Sequence, residues 1–197
     1  EKITVKIGIS YVSIDNARKN LETEQPAFDI AKTIQSASSE WESVLSKIKL
    51  EGGTDDQKTI FYTALYHLHI HPNILQDVNG EYPAMETGKI LRTTGNRYTV
   101  FSLWDTYRAL HPLFNLVQPV RNRDMIESML AHFDQSVHPM LPVWSHYANE
   151  NWCMIGYHSV SVVADALVKG TLRDKMDYQA LLEASINTSS YKPFDGL

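Results

Sequence analysis

The segment from Leu141 to His158 holds the residues whose types are best suited to chemistry. It contains two tryptophans, two tyrosines, two histidines and a single acid, Glu150. A buried helix would be richer in Leu, Val and Ala, and an exposed loop would carry few large aromatic side chains. Aromatic rings stack on the apolar faces of sugars, while carboxylates, amides and imidazoles bind sugar hydroxyls. This composition is therefore typical of a carbohydrate pocket.

Two interpretations of Glu150 follow from its neighbours. Between Trp144 and Trp152, its carboxyl would be partly desolvated, which favours the protonated form that a general acid needs. Alternatively, Asn149 and Glu150 lie in a solvated turn ahead of a helix that begins near Met154, and the positive end of that helix favours an acid. In the first interpretation, Asn149 is a candidate for binding a substrate hydroxyl.

A second group of candidates opens a predicted helix at Ser102–Thr106. Trp104 can present its ring to a sugar, while Asp105 accepts hydrogen bonds from hydroxyls. Asp105 is also explained by the preference of acids for the first turn of a helix. Arg108, three residues on, is placed to pair with Asp105 and fix its orientation. His158 is a further candidate, either for a substrate hydroxyl or for capping a helix.

Composition limits the classes of partner. The sequence has 18 Lys and Arg against 23 Asp and Glu, for a formal net charge of -5 at pH 7 and a pI near 5.9. This balance gives no basic footprint for nucleic acid. Hydrophobic residues make up 43% and charged residues 21%. These fractions indicate a globular chain, and no apolar run approaches the length of a membrane span.

The first residues follow the pattern of a β-strand. Ile3, Val5, Ile7 and Ile9 alternate with Thr, Lys and Gly, the period of a half-buried strand. Because a strand without a partner is not stable, we expect it to complete a sheet formed by residues outside this sequence. The chain also opens on Glu1, so we interpret it as a segment of a longer polypeptide.

Helical periodicity dominates the remaining sequence. Asp15 to Pro26 is predicted to be a polar connection, and Thr54 with Gln57 matches a capping box at a helix start. Residues 73–98 lack apolar periodicity, which indicates a functional loop or an insertion. Helices joined by such loops are typical of pairs arranged around a shared axis. Predicted helices cover roughly residues 28–52, 54–71, 101–116, 125–133, 160–167 and 178–186.

Three motifs together resemble glycoside hydrolase family 92, the calcium-dependent exo-α-mannosidases. They are Thr59–His67 (TIFYTALYH), Tyr98–Pro112 (YTVFSLWDTYRALHP) and Asn149–His158 (NENWCMIGYH), in the order of the family. The resemblance implies an N-terminal β-sandwich followed by an (α/α)6 barrel, with the active site between them. It predicts a mainly α chain, preceded by a β-strand of the sandwich. Residues 1–27 would then be the end of the sandwich and a linker, and residues 28–197 the N-terminal part of the barrel.

Roles for individual residues follow from the same resemblance. Glu150 falls on the family's general acid, Trp104 and Asp105 on the segment that contacts the terminal mannose, and His158 on a Gly-x-His element. Calcium is the implied cofactor, and in the family it binds two vicinal mannose hydroxyls. The general base and most calcium ligands lie in later segments of the family. The remainder of the same enzyme is therefore expected to complete the site, and no residue of this sequence is assigned to the metal.

The implied reaction removes terminal α-linked mannose from glycans with inversion, in the periplasm or outside the cell. This sequence has Ala148 and Asn151 where the family often has Gly and Thr, so its leaving-group preference is expected to differ. Two alternatives stay open. The first is a non-catalytic carbohydrate-binding helical module, which the missing base favours. The second is another (α/α)6 glycosidase, such as a glucosidase, that is indifferent to calcium removal.

Overall fold

A computed structural model describes residues 3–172 and 176–192. The chain divides into two compact units, which are described separately. The N-terminal unit comprises Glu1–His71 and Asp77–Asn79, and the C-terminal unit comprises Pro72–Gln76 and Gly80–Leu197. Within the described ranges, no helix is long and apolar enough to cross a membrane. The domain boundary predicted after residue 27 stays a prediction.

Helices form the regular structure of the N-terminal unit. Each begins at a residue whose side chain accepts a backbone N–H, as Ser13 does from Asn16 at the start of the first helix. The capping box predicted at Thr54 and Gln57 is confirmed, with both reciprocal hydrogen bonds present. The helices are α1 (Ile14–Glu24), α2 (Ile30–Leu45) and α3 (Asp55–His67).

Helix α1 corrects the prediction of a polar connection from Asp15 to Pro26. Its buried residues are two amides, Asn16 and Asn20, which are 3% and 8% exposed. The buried Asp77 carboxylate accepts hydrogen bonds from the Asn16 amide at 2.8 Å, the Asn20 amide at 2.6 Å and the Ser10 hydroxyl at 2.7 Å. Polar contacts therefore hold α1, and apolar periodicity could not indicate them.

The strand predicted over Ile3 to Ile9 is not formed by this chain alone. Residues 3–10 are in neither helix nor strand. A strand requires a hydrogen-bonded neighbour, and none of the sheets among the described residues includes this segment. As a result its apolar side chains remain exposed, with Ile3 at 82% and Ile7 at 78%.

The C-terminal unit contains short antiparallel strand pairs between its helices. Four of these strands occupy the region predicted to be irregular, because two-residue and three-residue strands are too short to produce a clear alternation. Strands β1 (Asn73–Ile74) and β4 (Tyr98–Thr99) pair, as do β2 (Glu81–Pro83) and β3 (Ile90–Arg92), and β5 (Ser145–His146) and β6 (Asn149–Glu150).

Five helices complete the described part of this unit. The helix predicted over 101–116 is interrupted after Thr106 and resumes at Leu110. Pro119 is the first residue of the next helix, a position where its missing N–H costs nothing. The helices are α4 (Leu103–Thr106), α5 (Leu110–Val117), α6 (Pro119–Gln135), α7 (His158–Val168) and α8 (Tyr178–Ser190).

Packing of α5, α6 and α7 fixes the position of the α7 N-terminus. Phe114, Ile126 and Val162 are fully buried among these helices. A row of polar side chains also joins them. His111 Nδ1 lies 2.7 Å from Asn122 Oδ1, the Asn122 amide donates to Asn115 at 2.8 Å, and the Asn115 amide donates to Asp165 at 2.8 Å. Helix α7 is thus held by both apolar packing and hydrogen bonds. These contacts fix the position of its first residue, His158.

Candidate functional site

Glu150 lies at the end of the β5–β6 hairpin, with a side chain that is 0% exposed. Its carboxylate accepts three backbone hydrogen bonds. Oε2 accepts from Val143 N–H at 3.0 Å, and Oε1 accepts from Trp144 N–H at 2.9 Å and Trp152 N–H at 3.1 Å. The donors precede and follow the hairpin, so one carboxylate joins both of its ends.

These contacts decide against one of the two interpretations of Glu150 offered by the sequence. The residue is in a strand and buried, so the solvated turn is wrong, and the following helix begins at His158 rather than near Met154. Burial is also more complete than the partial desolvation expected between Trp144 and Trp152. The general-acid role stays a prediction from the resemblance.

Trp104 and Asp105 lie on the short helix α4, where both are exposed. The Trp104 side chain is 43% exposed, which leaves much of its ring free to contact a ligand. Asp105 accepts a short hydrogen bond from the Ser102 hydroxyl and also donates its backbone N–H to Ser102 O at 3.1 Å. An indole and an oriented carboxylate therefore stand side by side.

Arg108 does not orient Asp105 as predicted. Its guanidinium lies over the Tyr107 ring, 5.1 Å from the centroid, and no ion pair joins these two described residues. Because α4 ends at Thr106, the helical geometry that would bring the two side chains together stops before Arg108. Ser102, at the N-cap, orients the carboxylate instead.

His158 is the first residue of α7, and its ring stacks on that of Tyr107. The centroids are 4.3 Å apart and the planes differ by 13°. His158 Nε2 is buried and has no hydrogen-bond partner among residues 3–172 and 176–192. It faces Gly156, where an added Cβ would lie only 2.8 Å from Nε2. The stack places His158 beside the C-terminal end of α4, close in the fold to Trp104 and Asp105.

Asn149 is exposed at the start of β6, next to the hairpin turn, and backbone contacts attach this hairpin to the chain that leads into α4. Thr99 donates its hydroxyl to Tyr147 O at 3.1 Å, and Phe101 N–H donates to Ser145 O at 2.9 Å. Val100 between them has φ +66°, an unusual conformation for a β-branched residue. The hairpin, α4 and the start of α7 are thus brought together.

Two residues of this site were not found from the sequence. Glu86, in the β2–β3 turn with φ +54°, accepts the Glu150 backbone N–H at 3.2 Å and donates its own N–H to Ala148 O at 2.8 Å. His132 on α6 has Nε2 4.0 Å from Glu150 Oε2. Burial lowers the pKa of His132 to about 4, so the ring is neutral at pH 7 and this approach is not an ion pair. Neither Glu86 nor His132 belongs to a motif of the sequence, and both approach Glu150 from segments that are distant along the chain.

Comparison with known proteins decides the family. A model of the glycosyl hydrolase family 92 catalytic domain matches residues 16–196. The chain belongs to glycosyl hydrolase family 92. A family 92 α-mannosidase structure from Bacteroides thetaiotaomicron is 45% identical, with a TM-score of 0.86 over 94% of this chain and 24% of that one. An inverting family 92 mannosidase of the same organism is 31% identical, with a TM-score of 0.82 over 90% of this chain and 24% of that one.

A curated relative agrees with this assignment to family 92. A protein of Arthroderma benhamiae described as an uncharacterized secreted glycosidase is 28% identical over 98% of this chain and 21% of its own length. The chain therefore spans about a quarter of the length of these relatives. The fold class predicted from the sequence, mainly α and part of an (α/α)6 barrel, is confirmed by the match with family 92 structures.

Calcium is the cofactor that the family resemblance implies for this chain. Across residues 3–172 and 176–192, no group of three or more His, Cys, Asp or Glu side chains is arranged to bind a metal ion. Calcium takes six to eight oxygen ligands, several of them carboxylates. The described residues therefore do not form a calcium site by themselves.

Proposed function

We propose that this chain is part of the catalytic domain of an α-mannosidase that removes terminal α-linked mannose from glycans with inversion and with the assistance of calcium. The exposed Trp104 beside the oriented carboxylate of Asp105 is the observation that carries this proposal. An indole face packs on the apolar face of a pyranose ring, while a carboxylate accepts hydrogen bonds from adjacent hydroxyls. One family 92 neighbour is solved in complex with mannoimidazole, which supports a mannose-like ligand for this chain.

The division of roles in this proposal follows the positions of the side chains. Trp104 and Asp105 bind the terminal mannose from α4, and His158 and the exposed Asn149 contribute polar groups at its edge. Arg108, stacked on Tyr107, contributes positive charge beside this surface. The general base and the calcium ligands come from residues other than these. A periplasmic or extracellular location is part of the proposal and is supported by the secreted relative.

Mannose release from a panel of α-mannobiosides by the complete gene product tests the proposal. We expect release that stops when calcium is removed by a chelator and returns when calcium is added back. Proton NMR of the first product formed should show the anomer opposite to that of the substrate. Release that survives chelation, or equal activity on α-glucosides, would instead indicate a different (α/α)6 glycosidase.

A non-catalytic carbohydrate-binding module is the second candidate. The observation in its favour is the Glu150 carboxylate, which is enclosed and accepts three backbone N–H groups. Such a module would bind mannose at the Trp104 surface without turnover. Calorimetric binding of mannose together with no product from any mannobioside, in the presence of calcium, would favour this candidate over the enzyme.

A further inference from the structure

We propose that Glu86 is a positioning residue for Glu150, because its side chain and its backbone together fix the β5–β6 hairpin to the C-terminal end of α6. The inference rests on the proposed function and on the general-acid role that the family resemblance predicts for Glu150. It goes beyond both, since neither assigns a role to Glu86. The evidence is the set of contacts that Glu86 makes, the conformation of its backbone and the place of its partners beside Glu150.

Glu86 binds the hairpin on both sides of Asn149. Its carboxylate oxygen Oε1 accepts the Glu150 backbone N–H at 3.2 Å, and its own backbone N–H donates to Ala148 O at 2.8 Å. Glu86 lies in the turn between β2 and β3, 64 residues before Glu150 in the chain. Two hydrogen bonds of opposite direction therefore join this turn to the main chain that carries Glu150.

The second carboxylate oxygen of Glu86 binds the end of α6. Oε2 accepts a hydrogen bond from the Ser136 hydroxyl at 2.9 Å, and Ser136 is the C-cap of this helix. The Ser136 hydroxyl oxygen in turn accepts His138 N–H at 3.0 Å, which holds it in place. One carboxylate thus connects α6 to the backbone of β6. Hydrogen bonds to an ionised acceptor are about twice as strong as neutral ones, so the charge of Glu86 strengthens both contacts.

Helix α6 is also an element that faces the Glu150 side chain. His132 lies one turn before Ser136, whose N–H donates to His132 O at 3.0 Å, and His132 Nε2 is 4.0 Å from Glu150 Oε2. The Glu150 side chain is 0% exposed, so its surroundings are groups of the protein. By fixing β6 to the end of α6, Glu86 sets the position of the Glu150 backbone relative to the helix that its side chain approaches.

The backbone of Glu86 has a conformation that its contacts must hold. It has φ +54°, in the left-handed region that favours glycine. Gly88, in the same turn, has φ +67°, so a glycine occupies one left-handed position of the turn and a residue with a carboxylate occupies the other. Left-handed residues other than glycine persist where surrounding contacts determine them, and they are concentrated at functional sites. This conformation therefore supports a role for the side chain of Glu86.

The position of Glu150 matters most for a leaving group that needs a proton. In its predicted role, Glu150 gives its proton to the glycosidic oxygen as the bond between this oxygen and the anomeric carbon breaks, which requires hydrogen-bond distance. A displacement of about 1 Å can lower such a rate by about 100-fold. The sugar hydroxyl that leaves from a mannobioside needs the proton, whereas the phenolate that leaves from an activated aryl mannoside does not. Loss of the Glu86 contacts should therefore lower turnover of the mannobioside selectively.

Binding of the terminal mannose should depend little on Glu86. In the proposed function, Trp104 and Asp105 bind this sugar from α4, and the Ser102 hydroxyl orients the Asp105 carboxylate. The contacts that fix Glu150 and those that orient the sugar-binding carboxylate thus come from different residues. A variant of Glu86 should consequently change kcat more than KM.

Glu86→Ala and Glu86→Gln in the complete gene product test the proposal, with Glu127→Ala as the matched control because the Glu127 side chain is 45% exposed on α6. Glutamine keeps both contacts, since its carbonyl can accept Glu150 N–H and its amide can donate to the Ser136 hydroxyl oxygen. Alanine removes both. For Glu86→Ala we expect kcat on a mannobioside to fall by about 10- to 100-fold, with KM and the activity on an aryl mannoside within about twofold of the wild type.

The conservative variant and the control separate positioning from a general loss of structure. Glu86→Gln should keep kcat within about threefold of the wild type, and Glu127→Ala should match the wild type on both substrates. An equal loss on both substrates in Glu86→Ala would indicate a merely structural role and overturn the proposal. A loss in Glu86→Gln as large as that in Glu86→Ala would also overturn it, because the contacts would then not account for the effect.

Amide hydrogen exchange measures the same contacts without turnover. In Glu86→Ala, the peptide covering residues 147–152 should exchange about tenfold faster than in Glu127→Ala, because the Glu150 amide loses a charged acceptor. Unchanged exchange would overturn the proposal whether or not the wild type releases mannose. A wild type that releases no mannose but shows the faster exchange in Glu86→Ala would overturn the proposed function and support the contacts argued for Glu86.

Ser136→Ala gives a second variant that removes only one of the two side-chain contacts of Glu86. If Glu86→Ala does not fold, Ser136→Ala is measured instead. Its expected result is the same selective loss on the mannobioside, of at least about threefold, since a single hydrogen bond is weakened. A Ser136→Ala variant that treats both substrates as the wild type does would overturn the proposal.

Discussion

The ring of Tyr107 stacks on the ring of His158 at 4.3 Å, and this contact joins the end of α4 to the start of α7. The two residues come from different motifs, one containing Trp104 and the other containing Glu150. The stack is also bordered by Gly156, which has φ +86° and lies against His158 Nε2. The position of the His158 ring in this stack therefore requires a glycine at residue 156.

Gly156→Ala should destabilise the protein and weaken ligand binding together. The new Cβ would lie 2.8 Å from His158 Nε2, and a positive φ costs a non-glycine residue about 1–2 kcal/mol. Gly88→Ala is the matched control, because Gly88 has φ +67° but nothing within 4 Å of an added Cβ. We expect both variants to lower the thermal midpoint and only Gly156→Ala to raise KM for the mannoside. An equal change of KM in the two variants would argue against a role for the His158 position.

Ser102→Ala should reduce ligand binding without affecting stability. The Ser102 hydroxyl orients the exposed Asp105 carboxylate, and an exposed contact of this kind contributes little to folding. We expect KM to rise several-fold with kcat and the thermal midpoint nearly unchanged, since one hydrogen bond is worth roughly 1 kcal/mol. Arg108→Gln is the comparison variant. The Arg108 guanidinium contacts Tyr107 and not Asp105, so its removal should leave the orientation of the Asp105 carboxylate unchanged. If Ser102→Ala binds mannose as tightly as the wild type, Asp105 needs no fixed orientation.

Stability should fall with acid because two buried imidazoles stay neutral in the folded protein. Burial lowers the pKa of both His111 and His132 to about 4, against an ordinary value of 6.5. Above pH 6.5 both histidines are mostly neutral in the folded and in the unfolded protein. Between pH 6.5 and about 4 the unfolded state binds it and the folded state does not, so each histidine removes up to about 1.4 kcal/mol of stability per pH unit.

Urea unfolding of the complete gene product between pH 8 and 4.5 measures this dependence. Above pH 6.5 these two histidines should make the free energy of unfolding depend only weakly on pH. Below pH 6.5 the urea concentration at the unfolding midpoint should fall. His132→Gln should lose part of the slope below pH 6.5 whatever its effect on the midpoint at pH 8, and a double variant with His111→Gln should lose more. A slope that is identical in all three proteins would assign the acid sensitivity to other groups.

Sequence patterns predicted those features that depend on neighbours along the chain. The capping box at Thr54 and Gln57 is local, because its two reciprocal hydrogen bonds lie within one turn of the helix. Helix α1 was missed because its buried positions are Asn16 and Asn20, so its burial has no apolar period. The environment of Glu150 could not be found either, since it depends on where the backbone N–H groups of a folded hairpin point.

Asp77→Asn should lower the stability of the N-terminal unit by about 2–3 kcal/mol. The carboxylate accepts hydrogen bonds from Ser10, Asn16 and Asn20, and an amide replaces one of its acceptor oxygens with a donor. A buried donor left facing another donor costs the full desolvation of that group. Asp15→Asn is the matched control, because its pair with Arg18 is 79% and 69% exposed on the same helix, and such pairs contribute at most about 1 kcal/mol.

Hydrogen exchange of α1 is the measurement that assigns the effect of Asp77→Asn to this unit. Asn20 connects Asp77 to two further segments of the same unit, since its amide also donates to Ile9 O at 2.8 Å and its carbonyl accepts Val78 N–H at 3.0 Å. Loss of the carboxylate should therefore increase exchange in α1 and leave α6 and α7 unchanged. Faster exchange throughout the chain would mean that the two units unfold together. Exchange in α1 equal to that of Asp15→Asn would mean that the carboxylate does not hold the helix.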